Sequence, residues 1–325
     1  MRFSPRTVGL ASALTTVLIW TFFIVIARAS ASRGLLPLDI ALARVLGASA
    51  VLLPWAWWLM RAQRQRGEPV GSLLGLSPLP LSVTVRAGVL GGLLYAVLAY
   101  TGFFYAPAAH ASVLMPGSLP LWTTLLAWLV LRERVSPARA TGLGLIVLGD
   151  LLVGGVSLLQ AFEGGEVWKG DLLFMTAALC WSGYSVTVRR YGLDAVRATM
   201  AITAFAFVFF VPAYLALIGL GALPTHLGQA PWSEFLFQAA FQGGGSVVIS
   251  GITFTQMVRH YGPVRSTMIT ALVPGLSAMG AVVLLGEPMH WNLLAGLALV
   301  SCGIVFGVRQ AKPAAAQAPT AEGRA

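Results

Sequence analysis

Apolar and polar positions in this chain segregate into whole segments rather than alternating turn by turn. Ten long apolar stretches stand out, at 8–28, 39–60, 87–105, 111–131, 139–159, 169–189, 197–219, 234–257, 266–285 and 291–308. Arg, Pro and Gly collect in the gaps between them. A helix needs about 20 apolar residues to cross roughly 30 Å of hydrocarbon. It suits that medium because its backbone polar groups are satisfied within the segment. The pattern therefore predicts an all-α integral membrane protein with ten transmembrane helices. Two connectors are longer than the rest. Residues 61–85 are expected along the cytoplasmic surface, and 220–233 as the main external loop. The Ala/Pro-rich tail, 311–325, is expected to be disordered.

Composition closes off the other classes. Hydrophobic residues make up 57% of the 325 and charged residues only 10%, with a mean hydropathy of +0.81. Soluble domains carry about 25% charged residues. The net charge of +10 offers no case for nucleic acid, because no soluble basic face exists to carry it. The cationic residues report orientation instead. With the N-terminus cytoplasmic, all but Arg28, Arg33, Arg44 and Lys169 of the 21 Lys and Arg fall on the cytoplasmic side. Both termini are then inside, in a multi-pass protein of a cell membrane, expected to be the bacterial inner membrane. The first apolar run is longer than a signal-peptide core of about 7–15 residues, so it reads as a span. The two cysteines, Cys180 and Cys302, lie in apolar stretches and give no disulfide framework.

The chain also repeats itself. Shifted by 154 residues, Pro120 meets Pro274, Ala127 meets Ala281, Glu133 meets Glu287, and Gly142 and Gly149 meet Gly296 and Gly303. Shifted by 161, Trp20 meets Trp181 and Arg28 meets Arg189. Each half then holds five spans, 1–165 and 166–310, and an odd number sets the second half upside-down in the membrane. Inverted repeats of this kind are common in secondary transporters.

The segment Leu131-Arg132-Glu133-Arg134-Val135-Ser136, followed by Gly142 and Gly149, resembles the end of a repeat in the drug/metabolite transporter superfamily, in its EamA-domain branch. Leu285-Gly286-Glu287-Pro288, with Gly296 and Gly303, resembles the same element in a second copy. Trp20, and Arg44 following Pro37 and Asp39, fit the first half. The second half departs from the pattern at Thr199, near the position matching Arg44. The resemblance covers about residues 8–308. It implies a ten-helix carrier of small metabolites with a central cavity lined by both halves, and amino acids or related amphipathic compounds as substrates.

Several residues bear on the pathway. Trp20 and Trp181 sit mid-span at equivalent places, with Tyr184 one turn beyond the second. In the third span Gly88, Gly91, Gly92, Tyr95, Ala99 and Gly102 share one face, read as helix packing in preference to a groove. Gln242 precedes Gly243-Gly244-Gly245, which weaken the eighth span. Pro120 and Pro274 are candidate kinks, with Gly244 a third hinge point. The expected pathway residues are Trp20, Arg44, Tyr95, Trp181, Tyr184 and Gln242. Glu133 and Glu287, just past their spans, are expected to be structural, each complementing the positive N-terminal end of the following helix.

Arg44 lies about 8 Å and Asp150 about 13 Å inside the outer ends of their spans, at 1.5 Å per residue. Charges at such depth must pair or face a wet cavity. Arg44 either pairs with Asp150 or reaches to the outer surface, and Asp150 either pairs or hydrogen-bonds within its own bundle.

Enzyme readings find no support. No HExxH or phosphate loop occurs, and His110, His226, His260 and His290 lack metal-ligand spacing. No metal or cofactor is expected. The expected function is secondary transport, with export favoured, of a small-molecule substrate across the lipid bilayer by alternating access. The alternative is a non-transporting sensor or lipid-handling scaffold on the same fold. Nothing in the sequence signals an oligomeric state.

Overall fold

The computed structural model describes residues 5–67, 71–270 and 272–309; the expected disordered tail lies outside them. The regular elements among the described residues are helices, apart from one isolated bridge between Ser72 and Ser77. In chain order the long helices are α1 (Pro5–Ser30), α2 (Pro37–Gln65), α3 (Leu81–Tyr105), α4 (Ala108–Leu131) and α5 (Pro137–Ala161). They continue with α6 (Val167–Tyr191), α7 (Ala195–Gly219), α8 (Trp232–Tyr261), α9 (Pro263–Leu285) and α10 (Trp291–Arg309). Each predicted stretch falls inside one of them. Eight are long and apolar enough to cross a membrane; α6, which carries Lys169, Asp171, Arg189 and Arg190, and α10, whose apolar run is shorter, are not among these.

Local chemistry sets the ends. Ser136 caps α5, its hydroxyl accepting from the Arg139 amide at 3.3 Å, and Pro137 takes the first helical position. The Asp194 carboxylate caps α7, accepting from Val196 and Arg197 at 3.1 Å each. The ends of α4 and α9 match. Arg132 (φ 56°) and Gly286 (φ 69°) are both left-handed, and the amides of Glu133 and Glu287 close onto the carbonyls of Ala127 and Ala281. These are Schellman-type caps at positions 154 residues apart.

Burial is inside-out relative to a soluble bundle. Leu10, Leu14 and Leu18 of α1, Leu148 and Leu151 of α5, and Val283 and Leu284 of α9 are all exposed. In water such a surface would cost about 25 cal/mol per Å², whereas hydrocarbon is as apolar as the side chains themselves. Membership of the bilayer follows. The chain is a multi-pass membrane protein.

Within the bundle, small residues set how closely helices meet. A Cβ on Gly303 would lie 2.4 Å from the Gly142 carbonyl oxygen, and one on Gly149 would lie 2.7 Å from that of Gly296. As numbers rise from 142 to 149 along α5, the facing residues fall from 303 to 296 along α10, so these helices run antiparallel. On α3, Gly88, Gly91, Gly92 and Gly102 abut Phe205, Tyr184, Ile202 and Phe174, so its small-residue face packs against α6 and α7. Gly303→Ala is expected to destabilise by about 1–3 kcal/mol, because backbone rather than a movable side chain opposes it. Gly275→Ala, with nothing within 4 Å, serves as the neutral control in a thermal-unfolding assay.

Candidate functional site

Aromatic rings from four helices meet at the centre. Trp20 of α1 stacks on Phe254 of α8 with centroids 4.9 Å apart, and meets Trp181 of α6 edge-on at 5.6 Å. Trp181 also lies 4.9 Å from Tyr95 of α3 and 5.2 Å from Tyr184. Rings at 4.5–7 Å attract beyond their burial. The Trp20 indole donates to the Ser250 hydroxyl at 3.3 Å, and the Tyr184 hydroxyl shares a hydrogen bond with Thr255 at 2.8 Å. The Trp181 N–H is buried and has no partner among the described residues. A small cavity of about 20 Å³ is lined by Trp20, Phe23, Tyr95, Met115 and Trp181, with neighbouring apolar groups. It holds about one water at most. The rings are closed on one another.

Arg44 borders a second cavity of about 20 Å³, between α2, α3, α7 and α8. It is 5% exposed and donates to the Tyr100 hydroxyl at 3.3 Å and the Ser246 hydroxyl at 3.1 Å. Its guanidinium lies 6.0 Å from the centre of the Phe23 ring, which in turn lies 6.5 Å from Tyr95. Phe23 thus connects the cation to the aromatic cluster. Arg44 makes no ion pair among the described residues. A buried charge without a counter-charge is costly, so an anionic ligand would find its complement here.

The expected pairing of Arg44 with Asp150 does not occur, nor does Arg44 reach the outer surface. Both residues lie within their spans, but position along a helix does not fix the direction a side chain leaves it. Arg44 turns inward to neutral hydroxyls, while both Asp150 oxygens are buried without a partner among the described residues, so its hydrogen-bonding alternative is not met either. Of the other expected pathway residues, Trp20, Tyr95, Trp181 and Tyr184 meet in the cluster. Gln242 is fully buried, and neither amide atom has a partner among the described residues; it lies about one turn before Ser246.

Ser246, Ser250 and Phe254 join the site although they are not among the expected pathway residues. Their signal is a four-residue step, Gln242-Ser246-Ser250-Phe254, which puts one polar-aromatic stripe on α8. Phe23 and Tyr100 carried no comparable mark.

The helix irregularities cluster near this site. Backbone bonding widens to the π type at 88–93, 113–117 and 239–249, and Gly244 lies in the last of these. Pro116 sits in the second, and α4 resumes with Pro120 in its first turn. In α9 the helix stops at Ile269 and resumes at Leu272, ahead of Pro274. Such breaks are found beside functional sites.

Polar ties gather at the end of the bundle where α1 finishes. Arg28 pairs with Glu287 at 2.9 Å and donates to the Phe103 carbonyl at 2.8 Å. Glu287 accepts from the amides of Ala108 and Ala109 at 3.2 and 3.3 Å. The helix it caps is therefore α4, not the following α10, because it folds back across the bundle. Arg33 pairs with Glu234 at 3.5 Å, and His110 with Asp171 at 2.9 Å. Asp39 accepts from the Tyr214 and Thr225 hydroxyls and the His226 amide, at 2.5, 2.9 and 2.9 Å. At the opposite end, neither Glu133 nor the exposed Arg189 makes an ion pair among the described residues. Also among them, no three His, Cys, Asp or Glu side chains cluster to hold a metal ion.

The profile of the EamA-like transporter family matches this chain twice, at residues 7–155 and 168–309. The chain belongs to that family. Family members are transporters and not enzymes. Among relatives, a Bacillus subtilis protein named as an uncharacterized transporter, YyaM, is 23% identical over 67% of this chain and 70% of its own. The aromatic amino acid exporter YddG of Ancylobacter novellus is 24% identical over 83% of this chain and 90% of its own. A solved crystal structure at 22% identity covers 93% of this chain and 97% of its own with a TM-score of 0.60, a likeness of fold.

Proposed function

We propose that this family member is a secondary transporter that exports small amphipathic carboxylates, with aromatic amino acids as the leading class. Transport proceeds by alternating access between two inverted five-helix repeats, 1–165 and 166–310. The ten helices span the bacterial inner membrane with both termini cytoplasmic. The observation that carries the substrate reading is Arg44, a buried guanidinium with no counter-ion among the described residues, joined through Phe23 to the rings of Trp20, Tyr95 and Trp181. A carboxylate would supply the missing charge and an aromatic body would replace ring-on-ring contacts. The relative named as an aromatic amino acid exporter supports the same class and the direction.

The inverted arrangement is supported by an exchange of partners. Gly142 is equivalent to Gly296 and Gly149 to Gly303, and Gly142 faces Gly303 while Gly149 faces Gly296. A two-fold axis produces such reciprocal contacts, and equivalent helices running antiparallel require it to lie in the membrane plane. The breaks at 113–117 and around 270 are the hinges of this reading, with Pro120, Gly244 and Pro274 beside or within the deformable turns.

Equilibrium binding to the purified protein tests the substrate class. L-Tryptophan should bind at least tenfold more tightly than L-tryptophanamide, which lacks the carboxylate, and more tightly than L-alanine, which lacks the ring. Equal affinity for acid and amide would refute the role of Arg44.

A further inference from the structure

Away from the central cluster, α4, α5 and α6 enclose a crevice of about 260 Å³. Its rim carries Val147, Leu151, Leu158 and Leu172, all exposed on the apolar outer surface, so it opens sideways toward acyl chains. Asp150 and Trp122 both line it. Asp150 is 6% exposed and neither of its carboxylate oxygens has a partner among the described residues. The Trp122 indole N–H is likewise buried and unpartnered.

Burying such groups without partners costs free energy that a folded protein seldom carries without use. Gly154 and Gly155 leave the room: a Cβ on Gly155 would meet nothing within 4 Å. We infer that this crevice is a second binding site, separate from the transport pathway, for a lipophilic amine. The nitrogen would donate to Asp150, and the ring of Trp122 or Trp168 would face the cation. The hydrocarbon body would lie against the leucines.

Depth selects the source of the amine. Asp150 stands eleven residues before the C-terminal end of α5 at Ala161, about 16 Å at 1.5 Å per residue. A phospholipid amine stays with its headgroup at the interface. A free alkylamine has no headgroup tether, and its neutral form partitions into hydrocarbon, where it takes up its charge against Asp150.

The test is saturable binding of radiolabelled n-octylamine to the full chain in phosphatidylcholine nanodiscs, with empty nanodiscs subtracted. The wild type should show one saturable site, with n-octanol at least tenfold weaker. Asp150→Asn removes the charge and Gly155→Leu fills the crevice without touching Asp150. Each should weaken octylamine at least tenfold while melting like the wild type. Arg44→Ala should leave octylamine binding intact. The absence of a saturable component would overturn the inference, as would a folded Gly155→Leu or Asp150→Asn protein that binds octylamine normally.

Discussion

Alanine at position 44 is expected to weaken carboxylate substrates roughly thirtyfold or more without unfolding the protein. Truncating one member of a buried, hydrogen-bonded charge pair costs about 2–5 kcal/mol, and in the proposed complex Arg44 is that member. In the free protein the guanidinium meets, among the described residues, the hydroxyls of Tyr100 and Ser246 and the ring of Phe23. Removing an uncompensated buried charge relieves a desolvation cost, so the melting temperature should hold or rise while transport falls. A structural residue would move both in the same direction. Arg44→Lys keeps the charge but loses the planar fork and its stacking, and should recover only part of the affinity. Flux of L-tryptophan, measured beside thermal unfolding for the three proteins, checks the split.

The second large effect concerns the end of the bundle where α1 finishes. Arg28–Glu287 ties the two halves there, whereas Arg189 and Glu133, the matched residues at the other end, make no ion pair among the described residues. Among the described residues the ion pairs between the halves lie at this end, while the other end holds a hydrogen bond from Arg86 to the Tyr191 hydroxyl. If the halves rock about the central site, the Arg28–Glu287 tie must open in every cycle. Cysteines at 28 and 287, in a background lacking Cys180 and Cys302, joined by a short bis-methanethiosulfonate, should cut flux at least tenfold. Reductant should restore it. Undiminished flux in the cross-linked protein would mean that this end does not move during transport.

The bundle was legible because hydrocarbon imposes one rule on every segment, which the lengths of the apolar runs report directly. Trp20 and Trp181 were legible as a pair because the internal repeat marks them as equivalent mid-span positions, and their rings do meet. Arg44 was legible by its depth. Its partners were not, since depth fixes height along a helix and leaves the direction of the side chain open. Asp150 is likewise deep in its span and yet faces the crevice on the outer surface. Glu287 shows the same blind spot. Its neighbours in sequence pointed to α10, while the chain's return across the bundle carried it to the amides of α4.

In the proposed cycle one substrate meets Arg44 and the aromatic cluster from each side of the membrane in turn. Counterflow measures that directly. Proteoliposomes loaded with unlabelled L-tryptophan should accumulate trace labelled L-tryptophan from outside, transiently and above equilibrium, and Arg44→Ala proteoliposomes should not. Folded wild-type protein that exchanges no faster than empty liposomes, or that exchanges L-tryptophanamide equally well, would contradict it.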